Sequence, residues 1–133
     1  MRTILYSLIL SLCSILFISC NRTEFLYSTS SFYVLNQTKK DVIISYVITN
    51  PYNHVVDSNT QILPAKDTTR LQIDSITAHP SLLFDSMLFL SQNNDTLLII
   101  SSVEDLDWEY TQGKVDYGGY MLTEHRWLYK FSK

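Results

Sequence analysis

Glycine, proline and cysteine are all scarce in this chain, with three, three and two residues among 133. So few glycines and prolines exclude a collagenous, linker-like or low-complexity protein. Two cysteines exclude a disulfide-framed scaffold, since they allow one bridge at most. Positive charge is thin as well. The formal net charge is −3, and the one adjacent basic pair, Lys39-Lys40, runs straight into Asp41. Binding to phosphate backbones needs a concentrated basic surface that displaces counterions, so nucleic acid is excluded as a partner. Length sets a further limit, because 133 residues hold one domain with one modest core and leave no room for a second catalytic domain.

What the chain has in plenty is apolar sequence, beginning at its N-terminus. Met1-Arg2-Thr3 places a positive charge before the run Ile4 to Ile18. That run is too short for a comfortable bilayer span, which takes about 20 residues, and has the shape of a signal peptide. It ends in Phe17-Ile18-Ser19-Cys20, which resembles the lipobox of bacterial lipoproteins. In that motif the cysteine thiol is the nucleophile that accepts a diacylglyceryl group, and the residue before it must be small for the peptidase to cut there. One departure stands out: the position three before the cysteine is usually Leu, whereas here Leu16 sits one step earlier and Phe17 takes its place. An ordinary secretory leader or an uncleaved membrane anchor are the competing readings. Cysteine usage favours lipidation, since Cys13 leaves with the leader and Cys20 is then the only cysteine of the mature chain. Losing Arg2 as well brings the net charge to −4, nine Lys and Arg against thirteen Asp and Glu. The expected organisation is a lipoprotein signal peptide at 1–19, a lipidated cysteine and tether at 20–30, and a folded domain at 31–133.

The periodicity of that domain is the period of two that marks strands. Phe32 and Val34 alternate with Tyr33 and Leu35, and Val42, Ile44, Tyr46 and Ile48 alternate with Ile43, Ser45, Val47 and Thr49. The second run stops at Asn50-Pro51, where proline removes a ladder donor. These runs read as a hairpin spanning residues 31 to 49. Tyr52 to Asn59 reads as a polar loop, and Arg70-Leu71-Gln72-Ile73-Asp74 as a strand with Leu71 and Ile73 inward. Met87 to Leu90 and Thr96 to Ile100 read as a central hairpin buried on both faces or nearly so, around the turn-rich Ser91 to Asp95. Ser102 to Tyr110 is ambiguous between an irregular segment and a short helix capped by Ser102. Tyr117-Gly118-Gly119-Tyr120 predicts a tight two-residue turn, which needs the positive φ that glycine adopts without steric cost. A last strand then alternates Trp127, Tyr129 and Phe131. Seven or eight short strands with no long helix after the leader predict an all-β chain. The expected fold is an antiparallel β-sandwich, immunoglobulin-like, preceded by an N-terminal signal-peptide helix.

Chemistry-bearing patterns are few. Glu104, Asp105, Asp107 and Glu109 offer closely spaced oxygens of the kind calcium takes, but the glycine that makes an EF-hand turn is missing until Gly113, so a solvated acidic loop is the expectation. His54, His79 and His125 lack the spacing of two imidazoles on one helix face. No serine sits in a nucleophile elbow, and no glycine-rich phosphate loop exists. Neither a cofactor nor a catalytic residue is therefore expected. Nine Tyr and two Trp are the remaining signal, because exposed aromatics stack on sugars and anchor protein contacts. Tyr46, Trp127 and Phe131 fall at alternating strand positions and read as core. Trp108, Tyr110, Tyr117 and Tyr120 cluster in a turn-rich stretch and are the candidate partner-binding aromatics.

Several short features together look like the small single-domain lipoproteins common in Bacteroidetes. They are the lipobox, the tether, Asn36-Gln37-Thr38, Asp95-Thr96-Leu97, Trp108 and the closing Tyr120-Met121-Leu122-Thr123. The resemblance implies no catalytic residues. It implies O-glycosylation at Asp followed by Ser or Thr, a pattern met at Asp67-Thr68-Thr69, Asp74-Ser75-Ile76, Asp85-Ser86-Met87 and Asp95-Thr96-Leu97. The acidic surface-export run of that phylum is absent after Cys20, where Asn21-Arg22-Thr23 follows, and this favours the periplasmic face of a membrane over the cell surface. The expected function is a lipid-anchored, non-enzymatic cell-envelope module that binds a protein or glycan partner. A structural component of an envelope assembly comes second and a secreted or membrane-bound hydrolase third.

Overall fold

The computed structural model describes residues 28–73 and 76–133, so the leader, Cys20 and the chain up to residue 27 lie outside the described residues. Eight strands follow in order: β1 (Ser28–Asn36), β2 (Val42–Thr49), β3 (Val56–Leu63), β4 (Thr68–Arg70), β5 (Phe84–Leu90), β6 (Thr96–Ile100), β7 (Trp108–Tyr117) and β8 (Tyr120–Phe131). A one-turn helix, α1 (Pro80–Leu83), and a 3-10 turn at Asp105–Asp107 are the helical elements among the described residues. None of these is long and apolar enough to cross a membrane.

The strands form two four-stranded sheets. Sheet A runs β4-β1-β8-β7 and sheet B runs β3-β2-β5-β6. Every pairing is antiparallel except that of β1 with β8, which run parallel from Ser28↔Thr123 to Asn36↔Phe131. The chain is thus nearly all-β, consistent with a β-sandwich. Its two sheets share one core because the apolar positions of each face the other. Phe32, Val34, Trp108, Trp127 and Phe131 come from sheet A, and Val42, Ile44, Tyr46, Phe84, Met87 and Phe89 from sheet B. Aromatic rings lock the two together. Phe89 stacks on Phe131 at 4.5 Å, Phe84 stacks on Trp108 at 5.4 Å, and Phe32 meets Phe84 edge-on at 5.2 Å. Each such pair contributes about 0.5–1.5 kcal/mol beyond its buried area.

The alternating runs form strands where the sequence places them, and the pairing differs in instructive ways. Residues 31–49 do not make a hairpin, since β1 lies in sheet A and β2 in sheet B. The chain changes sheets at Asn36, which is fully buried. Its Nδ2 donates to the carbonyls of Lys40 (2.8 Å) and Leu63 (2.9 Å), and its Oδ1 accepts from Thr38 N and Oγ1. Those bonds hold a corner where a reversal was expected. The polar stretch 52–59 is loop only in its first half, and 56–59 is strand: β3 pairs with β2 from Val42↔Leu63 to Thr49↔Val56, and as an edge strand it leaves its polar side chains in water. Of the expected strand at 70–74 only Arg70 is in a strand, as the end of β4; residues 71–73 are irregular and Asp74 lies outside the described residues, although Leu71 is buried and Ile73 packs against the core as predicted.

The β5–β6 hairpin forms, but β6 is an edge strand and Ile99 is 65% exposed, so it is not buried on both faces. β5 begins earlier than its apolar run suggested. Pairing shifts between Val47↔Ser86 and Ile48↔Phe84, which leaves Asp85 as an extra residue. That bulge turns both Phe84 and Met87 inward, and Thr49 Oγ1 donates to Asp85 Oδ2 at 2.7 Å. At 102–110 there is no α-helix, only the 3-10 turn and then β7. At the N-terminal side β1 takes in Ser28 to Ser30, residues assigned to the tether from sequence.

Candidate binding groove

The tight turn at Gly118-Gly119 forms as expected, with φ of 61° and 95°, and Tyr117 pairs with Tyr120 across it. That pair fixes the register of the whole β7–β8 hairpin, so Trp108 faces Tyr129, Tyr110 faces Trp127, and Gln112 faces His125. All of these lie on one face of sheet A, because residues two apart along a strand share a face. Along this face burial gives way to exposure. Trp108 and Trp127 are buried at 5% and 7% exposure, whereas Tyr110 is 46% and Met121 61% exposed. The core face of the hairpin therefore continues past the part that sheet B covers.

Residues 71–73 and 76–83, between β4 and β5 in sequence, lie across this end of the molecule. They are tied to β1 by Leu71 N to Phe32 O (2.8 Å), Ser30 N to Ile76 O (2.8 Å) and Ala78 N to Ser30 Oγ (3.1 Å). Between this crossing segment and the hairpin lies a groove of about 310 Å³, lined by Thr77, His79, Tyr110, His125 and Trp127 among others. Buried Trp127 is its floor. The Tyr110 ring sits 4.7 Å from it and the His79 imidazole 5.1 Å, while His125 stacks on Tyr110 at 5.9 Å. Tyr110 Oη lies 2.7 Å from His125 Nδ1, and His79 Nδ1 lies 3.3 Å from Asp105 Oδ2. Asp105 also accepts from Ser81 N at 2.9 Å, which joins α1 to the 3-10 turn. The groove thus offers aromatic faces for stacking and two imidazoles and a phenol for hydrogen bonds. Neither Trp108 Nε1 nor Trp127 Nε1, both buried, has an acceptor among the described residues.

Of the four aromatics singled out from sequence, Tyr110 lines this groove. Trp108 does not belong to a surface cluster. It is core, packed against Phe32, Phe84 and Tyr129, because it shares the inward face of the hairpin at a level that sheet B covers. Tyr117 and Tyr120 flank the turn, and their side chains lie outside what the structure describes. His79 and His125, distant in sequence, come to the same groove, while His54 sits in the turn after β2 and does not line it. The signal for His125 and Trp127 was present in the glycine turn, whose register dictates that both face β7 beside Tyr110. His79 arrives through the crossing segment, which no local pattern announces.

The acidic stretch divides. Asp105 takes the contacts above, Glu109 pairs with Lys130, and Glu104 and Asp107 are exposed. No group of three or more His, Cys, Asp or Glu placed to hold a metal ion occurs among the described residues. On the outer face of sheet A, Arg126 pairs with Glu124 at 2.6 Å. Burial would raise the Glu124 carboxyl, but hydrogen bonds from Arg126 and Ser31 and the charges of Arg126 and Arg70 outweigh it and hold the group below the usual carboxylate range. No protein-family profile, curated protein or solved structure matches this chain.

Proposed function

We propose that this chain is a cell-envelope lipoprotein. In this reading residues 1–19 are removed, Cys20 is lipidated, and an immunoglobulin-like β-sandwich serves as a non-enzymatic module that binds a protein or glycan partner beside the membrane. The lipobox-like Phe17-Ile18-Ser19-Cys20 supports the anchor. Two acyl chains or more give stable attachment, at about 0.8 kcal/mol per buried methylene. Two four-stranded sheets sharing one core, with β2 beside β5 as B lies beside E in immunoglobulin domains, support the sandwich type. One observation carries the binding role: a core face that continues into solvent as a groove, with Tyr110 half exposed over buried Trp127. Large aromatics in a concave, partly apolar setting are the usual anchors of recognition.

Anchor and groove are tested separately. Cys20→Ser should abolish palmitate labelling and detergent-phase partitioning, and a variant that still labels refutes lipidation there. For the groove, full-length wild type and Tyr110→Ala are crosslinked in intact membranes and the recovered species quantified. The expected result is a defined adduct that falls at least tenfold in the variant. Equal recovery would set the groove aside and leave a scaffold role in an envelope assembly.

A further inference from the structure

A second groove flanks the crossing segment on its other side, between that segment and β3. It encloses about 590 Å³, within the roughly 300–1,000 Å³ of small-molecule sites. Its floor is apolar, made of Ile48, Ile73, Ile76 and Leu83, and Val55 and Val56 stand at its lip, 59% and 63% exposed. Its rim is of a different character. Asn50, Asn53, Asn59 and Gln72 supply carboxamides and Asp57 a carboxylate, while neither Lys nor Arg is among the described lining residues.

The walls are braced by side chains that reach across. Tyr46 Oη lies 2.8 Å from Gln61 Oε1 and 3.1 Å from the Gln72 carbonyl, and Gln72 N donates to Gln61 Oε1 at 2.8 Å. Gln61 Nε2 reaches the Arg70 carbonyl at 3.3 Å and Asn59 Nδ2 the Gln72 carbonyl at 3.4 Å. At the other end Tyr52 Oη donates to the Thr77 carbonyl at 2.6 Å. The turn that carries Asn50 and Asn53 is closed by Asn50 N to Val55 O (2.9 Å) and His54 N to Asn50 O (2.8 Å). The groove is therefore held open before any ligand arrives. Among the described residues, no hydrogen bond uses the side-chain amide of Gln72 or the amide nitrogens of Asn50 and Asn53.

We propose that this groove binds a neutral saccharide. The Gln72 carboxamide presents a donor and an acceptor side by side, which matches a pair of neighbouring hydroxyls, each of which both donates and accepts, and the amide nitrogens of Asn50 and Asn53, whose oxygens close the turn, add donors beside it. The apolar floor accepts the C–H face of a sugar ring, and a rim without cations gives an acidic sugar or a phosphate nothing to pair with. The inference shares with the reading above the premise of a binding module, but uses a different surface.

The test is calorimetric titration of the full-length protein in micelles of a non-glycosidic detergent. The probes are cellohexaose, chitohexaose, xylohexaose and maltohexaose, with hexagalacturonic acid as the anionic counterpart. At least one neutral probe should bind. Gln72→Ala, which removes an exposed side chain with no hydrogen bond of its own among the described residues, should weaken it at least fivefold. Val56→Arg, which fills the lip, should weaken it more than twentyfold, and Ile99→Arg on the β6 edge should leave it unchanged. Absence of neutral-probe binding at millimolar concentration overturns the proposal, as does preference for the anionic hexamer. Binding lost in Tyr110→Ala but kept in Gln72→Ala and Val56→Arg would place the sugar in the first groove and overturn it too. The crosslinking result for Tyr110 stands or falls independently of all these outcomes.

Discussion

Asn36 engages three hydrogen-bonding partners, Lys40, Leu63 and Thr38, with one fully buried side chain, and that is the reason the chain leaves sheet A where it does. Asn36→Ala would strip the buried Leu63 carbonyl of this donor and open the corner. An unpaired buried group costs about 1–3 kcal/mol, and the three part-buried bonds to Lys40 and Thr38, whose partners can turn to water, about one more together, so the expected loss is roughly 2–4 kcal/mol, read as a lower urea midpoint at unchanged slope. A shift below about 1 kcal/mol would show that the corner is held by its flanking strands alone. Tyr46 behaves differently because it titrates. Burial, with the charge of Asp57 in addition, pushes its hydroxyl from 10.0 up to about 12. A folded pKa above the unfolded one means that the stabilisation is complete below pH 10 and is lost as pH rises from 10 towards 12. Tyr46→Phe should be the less stable protein at pH 7, by roughly 0.5–1.5 kcal/mol for the lost hydrogen bonding. Its disadvantage should shrink as thermal unfolding is followed from pH 10 upward. A difference that is flat across that range would contradict the assigned burial of the hydroxyl.

At the scale of elements, the β7–β8 hairpin was legible because one turn determines it. Gly118 and Gly119 both have positive φ, and a Cβ added at either would meet nothing within 4 Å, so the cost of a side chain there is backbone strain alone. Gly119, at φ +95°, lies further from the left-handed region open to other residues than Gly118 at +61°. Gly119→Ala should therefore cost about 1–2 kcal/mol and Gly118→Asn only a few tenths, measured by chemical unfolding. Equal costs would mean that the turn relaxes to another type. The β5–β6 hairpin and the inward sets of β1, β2 and β8 were readable for the same reason, since period two and local turn chemistry are properties of neighbouring residues. What escaped was partner choice between distant strands. Nothing local distinguishes a corner at Asn36 from a hairpin turn, since Asn and Thr suit both. β3 escaped because its side chains are polar and its strand state comes from backbone pairing with β2. The same limit hid the second groove, whose rim joins Asn50, Asn59 and Gln72 across separate elements, and it misplaced Trp108, whose burial depends on how far sheet B extends.

Across the whole molecule, the direction of β1 decides what faces the proposed membrane. β1 starts at Ser28 beside the crossing segment and both grooves, and runs to Asn36 at the opposite end, where the turns Gln37–Asp41 and Ser91–Asp95 lie. Eight residue steps separate Cys20 from Ser28, so this end lies within about 28 Å of the proposed anchor residue, the reach of a fully extended chain. The far end is roughly 27 Å more distant, the length of a nine-residue strand. Under the proposed anchoring, a partner reached through either groove would itself sit at or near the bilayer surface. Under the proposed lipidation the Cys20 sulfur is occupied and Cys13 departs with the leader, so an introduced cysteine is then the sole free thiol. Met121→Cys near the hairpin turn and Asn93→Cys at the far end, each labelled with a fluorophore in the full lipidated protein, are reconstituted in vesicles that carry a nitroxide on the lipid headgroup. Quenching should be strong at residue 121 and weak at residue 93. Equal quenching would overturn this orientation, and stronger quenching at residue 93 would place the lysine-bearing turn Gln37–Asp41, rather than the grooves, against the lipid.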